Sequence, residues 1–140
     1  MTQRHAHQRR RIDPAQRPER RRAIEKAARR AESLAVLVMI IKGYRIIGRR
    51  VRTTSGEIDI IACRGRRLAF VEVKQRRTLA EAEQAVTPAA RARMARAVEA
   101  WLSRYPEFLN HDIGLDRFEV VSLFRFRYAP DTLHTGAAGR

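Results

Sequence analysis

The chain contains very little cysteine, histidine and lysine, and these shortages exclude several kinds of site. Cys63 is the single cysteine of 140 residues, so no intramolecular disulfide can form, and we expect a reducing, cytoplasmic environment. The four histidines fall in the expected tails and loops without the spacing of a metal site. The sequence also has no internal repeat and no glycine-rich loop that would cradle nucleotide phosphates.

The chain also lacks a long apolar run. The apolar residues from Leu34 to Ile41 are too few to span a bilayer, so we expect no membrane segment. A length of 140 residues indicates one domain that can bury a hydrophobic core without disulfides. We place this domain at residues 21–128, between a disordered, arginine-rich arm at 1–20 and a frayed tail at 129–140.

Acidic residues are scarce, and this shortage predicts a polyanionic partner. The chain has 15 acidic residues against 30 lysines and arginines, which gives a formal net charge of +15. Such a balance favours a nucleic acid, here expected to be DNA, over an anionic membrane surface. Lysine occurs only at positions 26, 42 and 74, so the arginine excess follows genomic base composition as readily as phosphate binding.

Charged residues inside two apolar, strand-like runs provide the strongest functional signal. Asp59 lies in residues 56–62 (GEIDIIA), and Glu72 and Lys74 lie in residues 70–74 (FVEVK). A carboxylate buried in such a strand is costly unless it is paired, protonated or bound to a metal. Because side chains alternate along a strand, Glu72 and Lys74 share one face. Two acids and a base on one strand pair are what metal-assisted phosphodiester hydrolysis requires, so we expect a nuclease-type site.

The hairpin between the two runs decides whether Asp59 and Glu72 meet. A two-residue loop at Gly65-Arg66 suits a type II′ turn and sets Asp59 directly opposite Glu72. A loop at Arg64-Gly65 sets Asp59 opposite Phe70 instead, with Glu72 as its diagonal neighbour. Both registers keep the acids on one face, whereas a three-residue loop would separate them. The alternative is that these charges are ordinary solvent-facing residues of a half-exposed hairpin.

The remaining sequence predicts an α/β domain in the order α-β-β-β-α-β, with a mixed β-sheet flanked by helices. We expect helices over about residues 20–42 and 88–105, the second started by Thr87 and Pro88. Three strands between about residues 44 and 74 form a meander, and a last strand covers about residues 117–126. Because a helix precedes it, the last strand can lie parallel to its neighbour.

Several of these segments resemble a known bacterial family. Residues 43–47 (GYRII), 56–62 (GEIDIIA) and 70–76 (FVEVKQR) are similar to the small YraN (UPF0102) family, and the resemblance continues at 85–88 (AVTP) and 117–121 (RFEVV). It covers roughly residues 25–125. That family is assigned to the PD-(D/E)xK, restriction-endonuclease-like superfamily and is similar to archaeal Holliday junction resolvases. The resemblance therefore implies a restriction-endonuclease-like sheet and a metal-dependent endonuclease.

The resemblance also implies roles for individual residues. Asp59 and Glu72 become the metal-binding acids and Lys74 the lysine of the E-x-K element, with all three expected to be catalytic. Together with the backbone carbonyl of Val73, the two acids would hold Mg²⁺ or Mn²⁺, hard ions that prefer oxygen ligands. Lys74 would orient the attacking water or stabilise developing negative charge.

Glu32 is a further acid that the resemblance points to, since family members carry an acid at this place on the first helix. On a helix it shares an apolar face with Ala28, Ala35 and Met39, so its carboxylate would face the sheet and could help to hold metal. The alternative is a boundary glutamate paired with Arg29 or with an arginine of the sheet.

Three residues are candidates for nucleic-acid contacts through phosphate. Gln75 and Arg76 follow the site, and Arg91 stands close to where family members usually carry a lysine after the Val-Thr-Pro segment. Arginine does not replace lysine neutrally, and the position is shifted by about one residue. Glu119 also stands where the family commonly has aspartate. These departures bear on substrate contacts and leave the expected metal ligands unchanged.

Two functions from different classes remain. The first is a Mg²⁺-dependent endonuclease that cuts branched or structured DNA in repair, recombination or uptake. The second is a nucleic-acid-binding module of the same fold that does not cleave. Intact Asp59, Glu72 and Lys74 favour the enzyme, whereas the altered segment at residues 89–91 favours the binding module. A homodimer is expected if both strands of a junction are cut symmetrically.

Overall fold

Five β-strands form one mixed sheet with helices on both of its faces, an α/β architecture as the sequence predicts. The structure, a computed structural model, describes residues 13–82 and 86–131. Its elements are α1 (Arg17–Ile41), β1 (Arg45–Thr53), β2 (Gly56–Arg64), β3 (Arg67–Gln75), α2 (Leu79–Ala82), α3 (Pro88–Arg104), β4 (Asp112–Ser122) and β5 (Arg125–Ala129). Among the helices in this part of the chain, none combines the length and apolar composition that a membrane crossing requires.

The strands lie in the order β1-β2-β3-β4-β5. The first three form the expected antiparallel meander. The chain then crosses through α3, and β4 returns parallel to β3. This parallel pairing, which the sequence allows because a helix precedes the strand, is confirmed. β5 adds a last antiparallel strand at the far edge.

The hydrophobic core has two halves, one on each face of the sheet. α3 covers a cluster that contains Leu68 and Phe70 of β3, and α1 covers one that contains Ala69 and Val71 of the same strand. This alternation is what a strand buried on both faces requires. Trp101 of α3 packs edge-on against Phe70, with 5.5 Å between the ring centroids. The two packed helices therefore fix the sheet from both sides.

The β2–β3 hairpin closes through a two-residue loop at Gly65-Arg66, across which Arg64 pairs with Arg67. Gly65 has a φ of 57°, which glycine adopts at no steric cost and which the first central position of a type II′ turn needs. Of the two registers that the sequence predicts, this is the one observed. Cys63 is buried beside the loop, as expected for a small apolar residue at the end of a strand.

α1 begins earlier than the sequence predicts. Asp13 accepts a hydrogen bond from the backbone N–H of Ala15 at 3.0 Å and starts a 3₁₀ turn over Pro14–Gln16. The helix follows directly from Arg17, so residues 17–20 belong to it rather than to the expected arm. Proline in the first turn suits this start because its missing N–H would have no helical partner. Residues 1–12, the segment at 83–85 and the tail from 132 lie outside the described residues.

The last part of the chain differs from the single strand predicted over about residues 117–126. β4 covers Asp112–Ser122, and β5 returns over Arg125–Ala129, residues that the sequence assigns partly to a frayed tail. The early start of β4 was hidden by Gly114 and Asp116, residue types that are depleted in strands. Gly114 has a packing reason, because the Arg67 guanidinium lies where a Cβ would project.

A buried cluster around Asp116 fastens β5 to the sheet. The Arg67 guanidinium donates two hydrogen bonds to the Asp116 carboxylate, at 2.8 and 2.9 Å. Tyr128 of β5 donates its phenolic O–H to the same carboxylate, and the Asp131 N–H donates to it at 2.9 Å. Burial, reinforced by the bond to Asp116, raises the pKa of Tyr128. The folded protein therefore favours the protonated phenol that this cluster needs.

Candidate functional site

A cavity of about 280 Å³, which we call the site cavity, lies beside α3 where β2 begins and β3 ends. The predicted residues Asp59, Glu72, Val73 and Lys74 line it, together with Glu57 and Arg93. The structure thus brings together the two acids and the lysine that the sequence singles out. They meet because the hairpin register puts them on the face of the sheet that α3 covers.

Asp59 and Glu72 lie near each other just beyond the end of the hairpin ladder. The paired register of β2 and β3 ends at Ile60 and Val71, and Asp59 and Glu72 are the next residue on each strand. Asp59 Oδ2 accepts a hydrogen bond from the backbone N–H of Val73 at 2.8 Å, which holds the carboxylate at the end of the paired strands. Like charges opposed on neighbouring strands are destabilising, so this arrangement favours a cation between them.

The pKa of Asp59 is raised above its ordinary value. Burial is the main cause, and the nearby carboxylates of Glu72 and Glu32 add to it. The Val73 N–H and the Lys74 ammonium act in the opposite direction, because both favour the ionised form. The net result is a carboxylate whose negative charge is disfavoured in the folded protein, as is common at functional sites.

Glu72 is held by two cations of the site cavity. Its Oε1 lies 3.4 Å from Lys74 Nζ and 3.3 Å from Arg93 Nη2. The sequence predicts Lys74 here, whereas Arg93 is not among the predicted site residues. Arg93 directly precedes the buried Met94, so it lies at the edge of the buried face. This position beside a buried residue is the signal that the sequence offers for Arg93, because its contact with Glu72 depends on how α3 packs.

The two opposed carboxylates offer the oxygen donors that a hard divalent cation prefers. The contacts described above use Oδ2 of Asp59 and Oε1 of Glu72, and each carboxylate has a second oxygen. Within residues 13–82 and 86–131, no three or more histidine, cysteine, aspartate and glutamate side chains are grouped closely enough to share an ion. Two carboxylates suit Mg²⁺ or Mn²⁺, because Mg²⁺ usually keeps several waters and takes one or two carboxylates. The residues present therefore fit the predicted metal.

Glu32 lies outside the site cavity and is engaged elsewhere. It is buried on α1, as its place on the apolar face predicts, with 7% of its surface exposed. Its two oxygens lie 3.3 Å from Arg49 Nε and 2.8 Å from Arg50 Nε. Consecutive strand residues normally point to opposite faces, but Arg50 has a φ of 48°, which breaks the alternation on β1. The pairing with arginines of the sheet is thus the arrangement seen, and a metal-binding role for Glu32 stays a prediction.

A second cavity of about 180 Å³, which we call the cation cavity, adjoins the site cavity. Its charged lining residues are Glu72, Lys74, Arg76, Arg93 and Arg117. Arg76 and Arg117 both contact the buried Glu119 carboxylate, Arg76 through Nε at 2.7 Å. Burial lowers the pKa of Arg117, and neighbouring Arg76 lowers it further. The sequence predicts Arg76 at the site. Arg117 is not predicted there, because its place depends on the β3–β4 pairing that aligns it with Glu72.

The other two predicted phosphate contacts are not brought to the site. Gln75 is exposed and lines a groove against α1 on the opposite side of the sheet. Arg91 lies on α3 but lines neither the site cavity nor the cation cavity. Its Nε is buried and has no hydrogen-bond partner among the described residues. A role for either residue in binding nucleic acid stays a prediction.

Comparison with known proteins identifies the family. The model described as "Uncharacterised protein family UPF0102" matches residues 31–123, a segment that contains the whole site cavity. The chain belongs to the UPF0102 family. This membership confirms the resemblance carried by residues 43–47, 56–62 and 70–76.

Similar proteins occur in several bacteria. A UPF0102 protein of Methylorubrum extorquens (strain PA1) is 50% identical over 93 residues, which cover 66% of this chain and 73% of that protein. A UPF0102 protein of Parvibaculum lavamentivorans is 46% identical over 99 residues, covering 71% of this chain and 72% of the relative. One from Sinorhizobium medicae (strain WSM419) is 47% identical over 98 residues, covering 70% and 78% respectively.

Proposed function

We propose that this UPF0102 protein is a metal-dependent endonuclease that hydrolyses phosphodiester bonds in branched or structured DNA. The observation that carries the proposal is the convergence of Asp59, Glu72 and Lys74 in one cavity, with the two acids just beyond the end of the hairpin ladder. A cavity that collects opposed carboxylates and a raised pKa has the properties of an active site.

The two acids are the residues that would hold the metal. Asp59 and Glu72 each have a second oxygen besides the one that contacts the Val73 N–H or Lys74, and the Val73 carbonyl is the third expected ligand. When bound, Mg²⁺ or Mn²⁺ supplies a Lewis acid for the phosphate and lowers the pKa of a bound water. The Val73 N–H orients Asp59 for this role by fixing one of its oxygens.

Lys74 is the group that would act on the reacting atoms directly. Its ammonium lies 3.4 Å from Glu72, on the same face of β3 as that acid. From there it can donate hydrogen bonds to the attacking water or to a phosphate oxygen on which negative charge develops. Arg93, on the facing helix, contacts the same Glu72 oxygen and can also bind the phosphate.

Charge supports a DNA substrate. The chain carries a net charge of +15, and Arg76, Arg93 and Arg117 lie beside the two acids. Such a surface attracts a phosphate backbone at the place where the acids bind metal. Repair, recombination or DNA uptake in the cytoplasm are the settings we propose. A homodimer would let two sites cut the two strands of a junction symmetrically.

The second candidate is a DNA-binding module that does not cleave. The observation in its favour is that Lys74 and Arg93 already neutralise Glu72, and no third acid of the described residues is grouped with the pair closely enough to share an ion. Such a network can be stable without a metal. In this case the basic residues would bind DNA and the acids would only position them.

The two candidates separate in a cleavage assay. Labelled four-way junction, flap, single-stranded and linear duplex DNA are incubated with the protein in Mg²⁺ or Mn²⁺, beside the double variant Asp59→Ala, Glu72→Ala. We expect metal-dependent cutting of branched substrates that the double variant loses. Tight, salt-sensitive binding without cutting, unchanged in the double variant, would instead favour the binding module.

A further inference from the structure

The cation cavity collects cationic side chains from three elements at one place. These are Lys74, Arg76, Arg93 and Arg117, and the carboxylates that contact them include Glu72 and Glu119. Four cationic side chains around one small cavity favour an anionic ligand that can accept hydrogen bonds from several of them at once.

Two of these arginines retain hydrogen-bonding capacity. Arg76 contacts Glu119 through Nε, and Arg93 contacts Glu72 through one Nη. A guanidinium has five N–H donors, so each has further donors for a ligand. Both side chains remain partly open to solvent, with 34% and 56% of their surface exposed. A ligand can therefore reach them without rearrangement of the core.

Size and position restrict what the ligand can be. At about 180 Å³, the cavity is below the range of roughly 300–1,000 Å³ that is usual for drug-sized ligands, so it suits one small anionic group. It shares Glu72, Lys74 and Arg93 with the site cavity, so a group bound in it lies directly beside the proposed metal ligands. A phosphate of the substrate itself meets both conditions.

We propose that the cation cavity binds the terminal phosphomonoester of a DNA strand, so that the protein recognises a phosphorylated strand end beside the bond it cuts. A phosphomonoester carries about −1.5 to −2 charges at neutral pH and three terminal oxygens, whereas an internal diester carries one charge and two such oxygens, so a cavity lined by four cationic side chains favours the monoester. Arginine forks bind its three free oxygens through paired N–H···O bonds. The link to cutting rests on the proposed endonuclease function, but the binding step does not.

Binding of matched oligonucleotides tests the proposal. Three single-stranded DNAs of one sequence, with the same internal fluorophore, carry a 5′-phosphate, a 3′-phosphate or hydroxyls at both ends. Anisotropy titrations in EDTA exclude cutting. We expect one phosphorylated form to bind about tenfold more tightly than the hydroxyl form, as one charge-assisted interaction would give. Added inorganic phosphate should remove this difference in affinity without weakening the binding of the hydroxyl form. Equal affinity of all three forms would overturn the proposal.

Matched arginine variants localise the effect. Arg93→Gln and Arg76→Gln should each abolish the preference, while Arg96→Gln, an exposed arginine of the same helix outside the cavity, should retain it. Arg93 is the decisive position if Arg76→Gln unfolds the protein, because the Arg93 side chain is more exposed. Preference retained in both cavity variants would also overturn the proposal. If the protein shows the preference in EDTA but cuts no substrate in Mg²⁺, the proposed endonuclease function is refuted, whereas the proposed phosphate subsite stands.

Discussion

Burial of the ionised Asp59 carboxylate has a clear electrostatic cost for the folded protein. Burial and two neighbouring carboxylates raise its pKa, although a backbone N–H and Lys74 favour its ionised form. The carboxylate would be easier to accommodate if it were neutral. The surroundings of Asp59 disfavour its ionised form, so this carboxylate does not stabilise the fold. Its presence in a cavity is better explained by the binding of a ligand.

Replacing Asp59 by asparagine should therefore stabilise the protein at neutral pH. Asparagine keeps an oxygen for the Val73 N–H but removes the disfavoured charge. A raised folded pKa means that the folded state binds the proton more tightly than the unfolded state, so the ionised wild type loses stability as pH rises through the folded pKa. We expect a higher Tm for Asp59→Asn at about pH 7.5, with the gain shrinking on acidification.

The matched control for this prediction is Glu57→Gln, an exposed acid two residues earlier on β2. Its Tm should stay close to that of the wild type throughout the titration, measured by circular dichroism. A Tm for Asp59→Asn below that of the wild type at neutral pH would show that the ionised carboxylate stabilises the fold, which contradicts this interpretation of the site.

Glu32 should behave in the opposite way, as a structural charge. It is buried on α1 and pairs with both Arg49 and Arg50, so Glu32→Gln removes a carboxylate from two arginines. Glu25→Gln, on the same helix, breaks only an exposed pair with Arg21 and should change the free energy of unfolding by no more than about 0.5 kcal/mol. Urea denaturation should show a distinctly larger loss for Glu32→Gln. Equal effects of the two substitutions would refute this structural role.

At the scale of elements, the sequence predicts the structure wherever it carries a local signal such as a helix cap or a turn glycine. Thr87 caps α3, its hydroxyl accepting the Ala90 N–H at 3.2 Å, and the helix starts where the sequence predicts. The hairpin register was predicted as one of two because Gly65 marks the turn. β5 was missed because the turn before it, at Leu123 and Phe124, contains none of the usual turn residues. Its position depends on Asp116, whose partners are distant in sequence.

The residues of the candidate site also fall into two groups, those that a local pattern predicts and those that long-range packing places. Asp59, Glu72 and Lys74 lie on two strands joined by one short turn, so alternation alone nearly fixes their meeting. Arg93 and Arg117 arrive from α3 and β4, and their positions depend on helix packing and on a parallel crossover. A single sequence does not specify such long-range geometry, which is why the acids were predicted and the surrounding cations largely were not.

The attachment of β5 should be sensitive to alkaline pH. Burial and the bond to Asp116 raise the pKa of Tyr128 above its ordinary 10.0, so the unfolded chain releases this proton first as pH rises. Stability is therefore lost above about pH 10, by less than about 1.4 kcal/mol per pH unit because the ring is partly exposed.

The variant Tyr128→Phe removes the titrating group and should flatten this decline in urea denaturations between about pH 9 and pH 11. Tyr105→Phe, at the end of α3, should keep the wild-type slope because Tyr105 packs against Trp101, in the core cluster on the opposite face of the sheet from Tyr128. A slope in Tyr128→Phe as steep as in the wild type would mean that the phenol does not control the loss of stability.

At the scale of the whole molecule, charge and fold point to the same place. A net charge of +15 would attract DNA over much of the surface, but opposed acids concentrate at the cavity between the hairpin and α3. Around them, the sheet and α3 supply Lys74, Arg93, Arg76 and Arg117. Under the proposed function, the molecule combines a general attraction for polyanions with a site at which a metal ion and a phosphate meet.

The most direct test of the endonuclease is single-turnover cleavage of a labelled four-way junction in Mg²⁺ by the wild type and by Asp59→Asn, with binding measured in EDTA. Because Asp59→Asn should be folded and at least as stable, lost activity is not attributable to unfolding. We predict that the variant binds the junction as tightly as the wild type but cuts it at least about a hundredfold more slowly. Equal cutting by the two proteins, or junction binding by the wild type without any cutting, would contradict the assignment of Asp59 and Glu72 as the metal-binding acids of a nuclease.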